Sequence, residues 1–315
     1  MSGPLTEPIP RLFLESMDAS ISISLFPVEG SGGNGWIRLP GATGLEMPPE
    51  DVVSDPVPGV PGSTVTDVKV LARPVFLPLY CRNGNGQVAY REMLDQIRSL
   101  IDPTTGSFRL VGDSIRGQRE LIVTYDSGLE GADGEDTEGL SWCKVGLKLT
   151  AHDPYAQALE DRRLEYRVTP TVAEPFLGVV GGTDAPWPRA ISTSSVIGTG
   201  MSVIISSEVP IYPKVELVGP MTSFLGTLDP TLYTDREWSV DIPSGVADNS
   251  TLVLITNPRA RSIRLDGSLA AGLVALGSTL RPFYPGENTL SVVAPGGTED
   301  TLIALSWRDK FRSLW

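Results

Sequence analysis

The sequence predicts a mainly β protein, built as β-sandwiches or barrels, with one α-helix in its first half. Three observations carry that expectation. Short runs with alternating polar and apolar residues recur along the 315-residue chain. Turn clusters separate them, drawn from 33 glycines and 27 prolines. Only one stretch keeps the three-and-four spacing of an amphipathic helix.

Ser20–Phe26 (SISISLF) alternates with period two, as a half-buried strand should. Thr64–Leu71, Leu121–Tyr125 and Lys144–Ala151 follow the same rule. In the second half the strand candidates are Met201–Ile205, Val215–Val218, Thr251–Ile255, Ser262–Leu265, Thr289–Val293 and Thr301–Ser306. Asn83-Gly84-Asn85-Gly86, Asp266-Gly267 and Pro285-Gly286 are the turn clusters between them. Strands at this spacing with few helices fit sandwiches or barrels better than βαβ units. The helix is expected over 88–101, where Val88, Met93, Leu94, Ile97, Leu100 and Ile101 form one stripe. Asn85 or Gly86 begins it, and Asp102-Pro103 ends it, because proline disfavours helix in the residue before it. Arg91, Glu92, Asp95 and Arg98 then face water.

Composition narrows the function. With 25 Lys and Arg against 38 Asp and Glu the net charge is −13, so the chain has little with which to neutralise phosphates. A basic DNA-binding surface is therefore not expected, although an acidic wall would suit a channel that DNA must pass without sticking. A mean hydropathy of +0.02 with six Trp, eight Tyr and eight Phe argues for packed cores. No window approaches the roughly 18 apolar residues of a membrane helix. The first residues lack the basic and apolar regions of a secretory signal, so synthesis and folding in a cytoplasm are expected. One histidine, His152, and two cysteines, Cys81 and Cys143, leave little for metal or triad chemistry. The cysteines read as small buried thiols.

Each chemical motif has a plainer reading. Gly30–Gly35 fits G-x-G-x-x-G, but an extended Trp36–Pro40 follows where a phosphate site needs a helix N-terminus. It is expected to be a loop. Asp126–Glu138 packs six carboxylates into thirteen residues without the alternation of an EF-hand, and reads as a solvated hairpin arm. Carboxylate pairs for glycoside hydrolysis can always be found among 38 acids and so discriminate nothing. No Gly-x-Ser-x-Gly elbow is present for a serine nucleophile. The tail Trp307–Trp315 interleaves aromatics with cations; docking on a neighbouring surface is preferred to nucleic-acid or sugar binding. No catalytic, metal-ligating or cofactor-binding residue is assigned, and no cofactor or enzymatic activity is expected.

Several segments together resemble the distal tail proteins of long-tailed siphophages. Leu121–Gly131, which includes the Y-x-S-G-x-x-G string Tyr125–Gly131, is followed by Trp142-Cys143-Lys144 and by Ala151-His152-Asp153-Pro154-Tyr155, matching A-x-D-P-Y. Helix 88–101, Phe108–Leu110 and Arg119–Leu121 sit where that family places its belt-domain helix and sheet. In the second half Tyr212–Pro220, Leu252–Asp266 and Phe283–Leu290, with its F-x-P-G-x-N pattern, resemble the family's galectin-like domain. The likeness spans most of 65–310.

It implies a β-sandwich or barrel-like belt domain over 1–168, with loop 30–62, helix 88–101 and arm 126–141. A linker over 169–190 and a galectin-like β-sandwich over 191–315 follow. The implied role is structural: a homohexameric ring joining the tail tube to the tail-tip hub and receptor-binding apparatus around an open channel. Tube protein, hub protein and, as a further candidate, tape measure protein are the implied partners. The location is the distal tail of the virion, after assembly in the host cytoplasm and without membrane insertion. Leu129, Glu130, Asp133, Trp142, Phe311 and Trp315 are the candidate oligomer or partner contacts, with arm 126–138 expected to reach a neighbour. The competing expectation is a carbohydrate-binding module with Trp187 and Trp238 as sugar-contact aromatics and Trp307 as a further candidate.

Overall fold

The computed structural model describes residues 10–26, 32–56, 58–59, 61–102, 104, 106–131, 139–167, 201–230, 238–298 and 300–315. The chain forms two compact units, Met1–Leu159 with Lys310–Trp315 and Glu160–Asp309. The linker expected over 169–190, with Trp187, and Asp133 lie outside the described residues.

The first unit runs β1 (Arg11–Glu15), β2 (Ser22–Ser24), β3 (Gly35–Arg38), β4 (Glu50–Pro56), β5 (Ser63–Val70), β6 (Arg73–Arg82), α1 (Gln87–Leu100), β7 (Phe108–Ser114), β8 (Gly117–Ser127), β9 (Trp142–Ala151) and β10 (Ala156–Ala158). Its main sheet follows the order β2-β1-β7-β8-β9-β6-β3. The Arg38 N–H donates to the Leu25 carbonyl, tying the segment beside β2 to β3 and nearly closing a barrel. Strand β8 turns the corner: its first part, through Val123, pairs with β7, and from Thr124 it pairs with β9 across a bulge between Tyr125 and Ser127. Strict alternation sends Val75, Leu77, Leu79 and Cys81 of β6 inward against Leu149, Leu147, Val145 and Cys143.

Helix α1 contributes Tyr90, Leu94, Ile97 and Leu100 to this core, each burial contributing at most about 1.5–3 kcal/mol. Gly86, at φ 113°, precedes it as expected. Val88 departs from the expected stripe and is exposed, because Tyr90 takes the inward position of the first turn. Arg91, Glu92, Asp95 and Arg98 face water. Thr64–Leu71 is a strand but not a half-buried one. It pairs with β4 in a separate two-stranded sheet, and the alternation expected to mark burial marks an uncovered face instead.

The second unit contains β11 (Arg162–Arg167), β12 (Met201–Ile205), β13 (Lys214–Val218), β14 (Phe224–Pro230), β15 (Trp238–Ile242), β16 (Thr251–Ile255), β17 (Ser262–Leu265), β18 (Ser268–Leu269), β19 (Gly286–Val293) and β20 (Leu302–Trp307). A six-stranded sheet, β11-β20-β13-β16-β17-β18, packs on a four-stranded one, β12-β19-β14-β15. Val215, Leu217, Leu252, Leu254, Ile303 and Leu305 from the first share one core with Leu228, Val240, Ile242, Leu290 and Val292 from the second. This is a β-sandwich. Because β11 pairs with β20 along its whole length, the chain enters this unit before residue 162, ahead of the boundary expected at 168. A final strand, β21 (Lys310–Phe311), pairs with β10, so the last six residues belong to the first unit rather than to the sandwich.

On the outer face of the six-stranded sheet Glu216 accepts from Lys214 and, at 3.0 Å, from Arg163. These bonds hold its carboxyl below the ordinary glutamate range, Lys214 contributing most. A depressed pKa contributes stability above the unfolded value of about 4.3 that is lost as pH falls. Glu216→Gln is therefore expected to lower the unfolding midpoint of the sandwich slightly at pH 7. The difference from the parent should shrink as pH falls below the ordinary glutamate range, as checked by thermal melts across the acidic range.

Candidate functional site

Three surface features of the first unit stand out, and the first two hold Leu129, Glu130 and Trp142 of the expected contact residues. The first is the turn after β8. Gly128 sits at φ +118° and its N–H donates to Glu130 Oε2 at 2.8 Å. The Leu129 N–H donates to the Tyr125 hydroxyl, which donates to Glu130 Oε1 at 3.3 Å. The Glu130 backbone N–H, then the Gly128 N–H and the Tyr125 hydroxyl, lower the Glu130 pKa. Leu129 packs against the barrel core, so of the expected contact residues here Glu130 presents more to solvent. Residues 132–138 of the arm, including Asp133, are outside the described residues. The chain returns through Gly139, whose N–H donates to the Trp142 carbonyl at 2.8 Å.

Trp142 opens the second feature, the outward face of β3, β6 and β9. Register places Phe76 beside Lys148, Pro78 beside Gly146, Tyr80 between Ile37 and Lys144, and Arg82 beside Trp142. The Tyr80 and Trp142 rings lie 6.1 Å apart, with Lys144 Nζ 5.7 Å from the Trp142 ring. Phe76, Pro78, Tyr80, Trp142 and Ile37 are all half-buried, while Arg82, Lys144 and Lys148 are exposed. These three strands contain no Asp or Glu, in a chain with 38 of them.

The third feature is the β4–β5 hairpin. Its register puts Val52 opposite Val68, Ser54 opposite Val65 and Glu50 opposite Val70 on one face. The other face carries Asp51, Asp55 and Asp67 with Lys69 and Val53. A bulge leaves Thr66 unpaired in the ladder, its hydroxyl donating to the Val53 carbonyl. Apart from half-buried Val70 every residue of both strands is exposed, and Val52, Val65 and Val68 are 52%, 56% and 48% exposed. The loop expected over 30–62 instead holds β3 and, in its second half, one strand of this ribbon.

Phe311 and Trp315 occur in a clasp around the chain's last residues. The Arg119 guanidinium stacks 3.7 Å from the Phe311 ring centroid and donates to the carbonyls of Ser313 (2.9 Å) and Trp315 (2.6 Å). Arg73, fully buried, donates to the Arg312 carbonyl, and burial pulls its pKa down to about 10, still charged at neutral pH. Lys310 Nζ donates to Asp153 Oδ2 at 2.6 Å, which gives the acid of the A-x-D-P-Y string its task. Trp315 lies under Arg38 and separates two open clefts of about 380 and 350 Å³. The tail thus docks within its own unit.

Little here resembles a reaction centre. His152 Nε2 lies 3.4 Å from the Thr124 hydroxyl. Cys81 and Cys143 are buried, opposed thiols, and the hydrogen bond between them together with burial pushes the Cys81 pKa far up. Among the described residues no three His, Cys, Asp or Glu side chains cluster as a metal site. Trp307 is 8% exposed, its indole N–H donating to Asp309, so it packs in the sandwich core rather than offering a sugar platform. Trp238 begins β15.

No family model and no curated protein sequence matches the chain. Solved structures do. The Dit protein (gp 19.1) of phage SPP1, described as a paradigm of the hub adsorption apparatus in phages infecting Gram-positive bacteria, matches with a TM-score of 0.59 at 13% identity. The match covers 96% of this chain and 100% of that one. The phage p2 baseplate in its activated conformation matches with a TM-score of 0.49 at 7% identity, over 95% of this chain and 98% of that one. The chain has a Dit-like fold over nearly its whole length.

Proposed function

We propose that this chain is a structural distal tail protein of a long-tailed phage. Six copies form a ring that joins the tail tube to the tip hub and receptor-binding apparatus, around a channel through which DNA passes. The observation that carries this reading is the Dit-like fold extending through both units rather than through one shared module. The first unit supplies the ring, and the sandwich is read as galectin-like. Physical chemistry supports the same role. An exposed two-stranded ribbon and an apolar sheet face are surfaces that assembly covers. A net charge of −13 suits a wall past which DNA must slide without adhering. The tube protein above, the hub below and the tape measure protein are the partners, in the virion's distal tail after assembly in the host cytoplasm.

Native mass spectrometry of the purified chain, with electron-microscope class averages, tests the reading. The expected result is a species of six times 33.7 kDa with six-fold symmetry. A monomer that also fails to close into a ring when mixed with tube and hub proteins would overturn it.

A further inference from the structure

We infer that the β4–β5 hairpin of one copy lies across the outward face of β3, β6 and β9 of the next copy. This rests on the ring reading and names the contact that closes it. A two-stranded hairpin alone in water is marginal. This one presents Val52, Val65, Val68 and Pro56 on a single face with nothing over them. The surface it needs must be flat, apolar and of opposite charge. Residues 50–70 hold Glu50, Asp51, Asp55 and Asp67 against Lys69 alone. The strip Phe76–Pro78–Tyr80 with Ile37 and Trp142 is apolar, rimmed by Lys144, Lys148 and Arg82, and its strands carry no carboxylate.

The valine face settles on the Phe76–Tyr80 strip. Glu50 lies on the valine face itself, beside the flanking cations, while Asp51, Asp55 and Asp67 stand on the other face and add a longer-range attraction across the thickness of the ribbon. Because the two patches differ, the contact is head-to-tail: each copy gives a hairpin to one neighbour and takes one from the other. Such contacts close into a ring when the rotation between copies allows it. The bulge at Thr66 twists the ribbon and removes it from simple edge-to-edge pairing.

Co-expression of two differently tagged full-length variants, Val68→Cys and Lys144→Cys, tests the contact. The assembly is purified through both tags and treated with a short bismaleimide. The native thiols are buried, and the parent protein treated alike is the control. A covalent dimer carrying both tags is expected, and none when either variant is expressed alone. A second arm places Val68→Lys on the exposed ribbon, opposite Val52 and outside both buried cores, where it sets a cation against the cations of the strip; association should weaken at least tenfold. A six-copy ring without the mixed cross-link overturns the docking and leaves the ring reading standing. The mixed cross-link in an assembly of another size keeps the docking and removes the six-copy ring. Cross-linking of Val68→Cys copies to one another shows hairpin-on-hairpin pairing and overturns the inference. An uncross-linked monomer overturns both.

Discussion

Deleting Lys310–Trp315 is expected to destabilise the first unit by about 5 kcal/mol or more, comparable with the whole stability of many domains. Leu314 is fully buried in the barrel core, and losing such a side chain costs about 2–5 kcal/mol. Its N–H also donates to the Leu45 carbonyl. The deletion takes from the Arg119 guanidinium both carbonyls it binds and the ring it stacks on, and from Arg73 the Arg312 carbonyl. Taking partners from a buried charged donor costs about 1.5–3 kcal/mol per bond. The sandwich keeps all its strands, since none of β11 to β20 includes these residues. Calorimetry should therefore show the barrel transition lowered or lost and the sandwich transition retained. Leu314→Ala alone should cost about 2–4 kcal/mol. If the truncated chain melts like its parent, the clasp is decoration.

That clasp was partly legible in the sequence. The alternation of aromatics and cations in Trp307–Trp315 marked a docking segment, but its target lies at Arg73, Arg119 and Asp153, far back in the chain. Only the fold reveals that distance. The helix and most strands were readable because their apolar period matches what the core demands, as with Leu94, Ile97 and Leu100. Strand β6 was not, because Pro74 and Pro78 argue against a central strand. Its alternate residues explain the tolerance. Phe76 exchanges both backbone bonds with Thr43, so the even-numbered residues direct their amides away from β9. The prolines thus remove no donor from the β9 ladder.

The hairpin was missed in part for the opposite reason. Thr64–Leu71 has the right period, but period reports a two-faced strand and not whether the same chain covers the apolar face. Glu50–Pro56, with three acids and a proline, gives almost no strand signal by itself. The motifs that suggested a family prove to be places where backbone geometry constrains residue type. In the F-x-P-G-x-N segment the buried Asn288 amide donates to the carbonyls of Tyr284 and Gly286, both at 3.0 Å. Phe283 is fully buried beside them. Such turns can persist in a fold after overall identity has fallen to 13%.

The Y-x-S-G-x-x-G turn gives the sharpest test of that view, because its two glycines are asked for different things. A Cβ on Gly128 would stand 2.1 Å from the Gly146 carbonyl oxygen, at a φ of +118° that L-residues rarely adopt. Neither problem can be relieved by turning a flexible side chain, since the obstacle is the backbone of β9. Gly128→Ala should cost about 3 kcal/mol or more, adding backbone strain of about 1–3 kcal/mol to displacement of the β8–β9 corner. Gly131 shares the positive φ, at +84°, but a Cβ there meets nothing within 4 Å. Gly131→Ala should therefore cost only about 1 kcal/mol. Thermal and urea unfolding of the two variants would measure the gap. A large gap, with the Gly128→Ala protein also failing to assemble, makes the corner a precondition for presenting Glu130 and Trp142. Equal small losses would mean that β9 yields at Gly146, and that the first glycine is required for its φ alone.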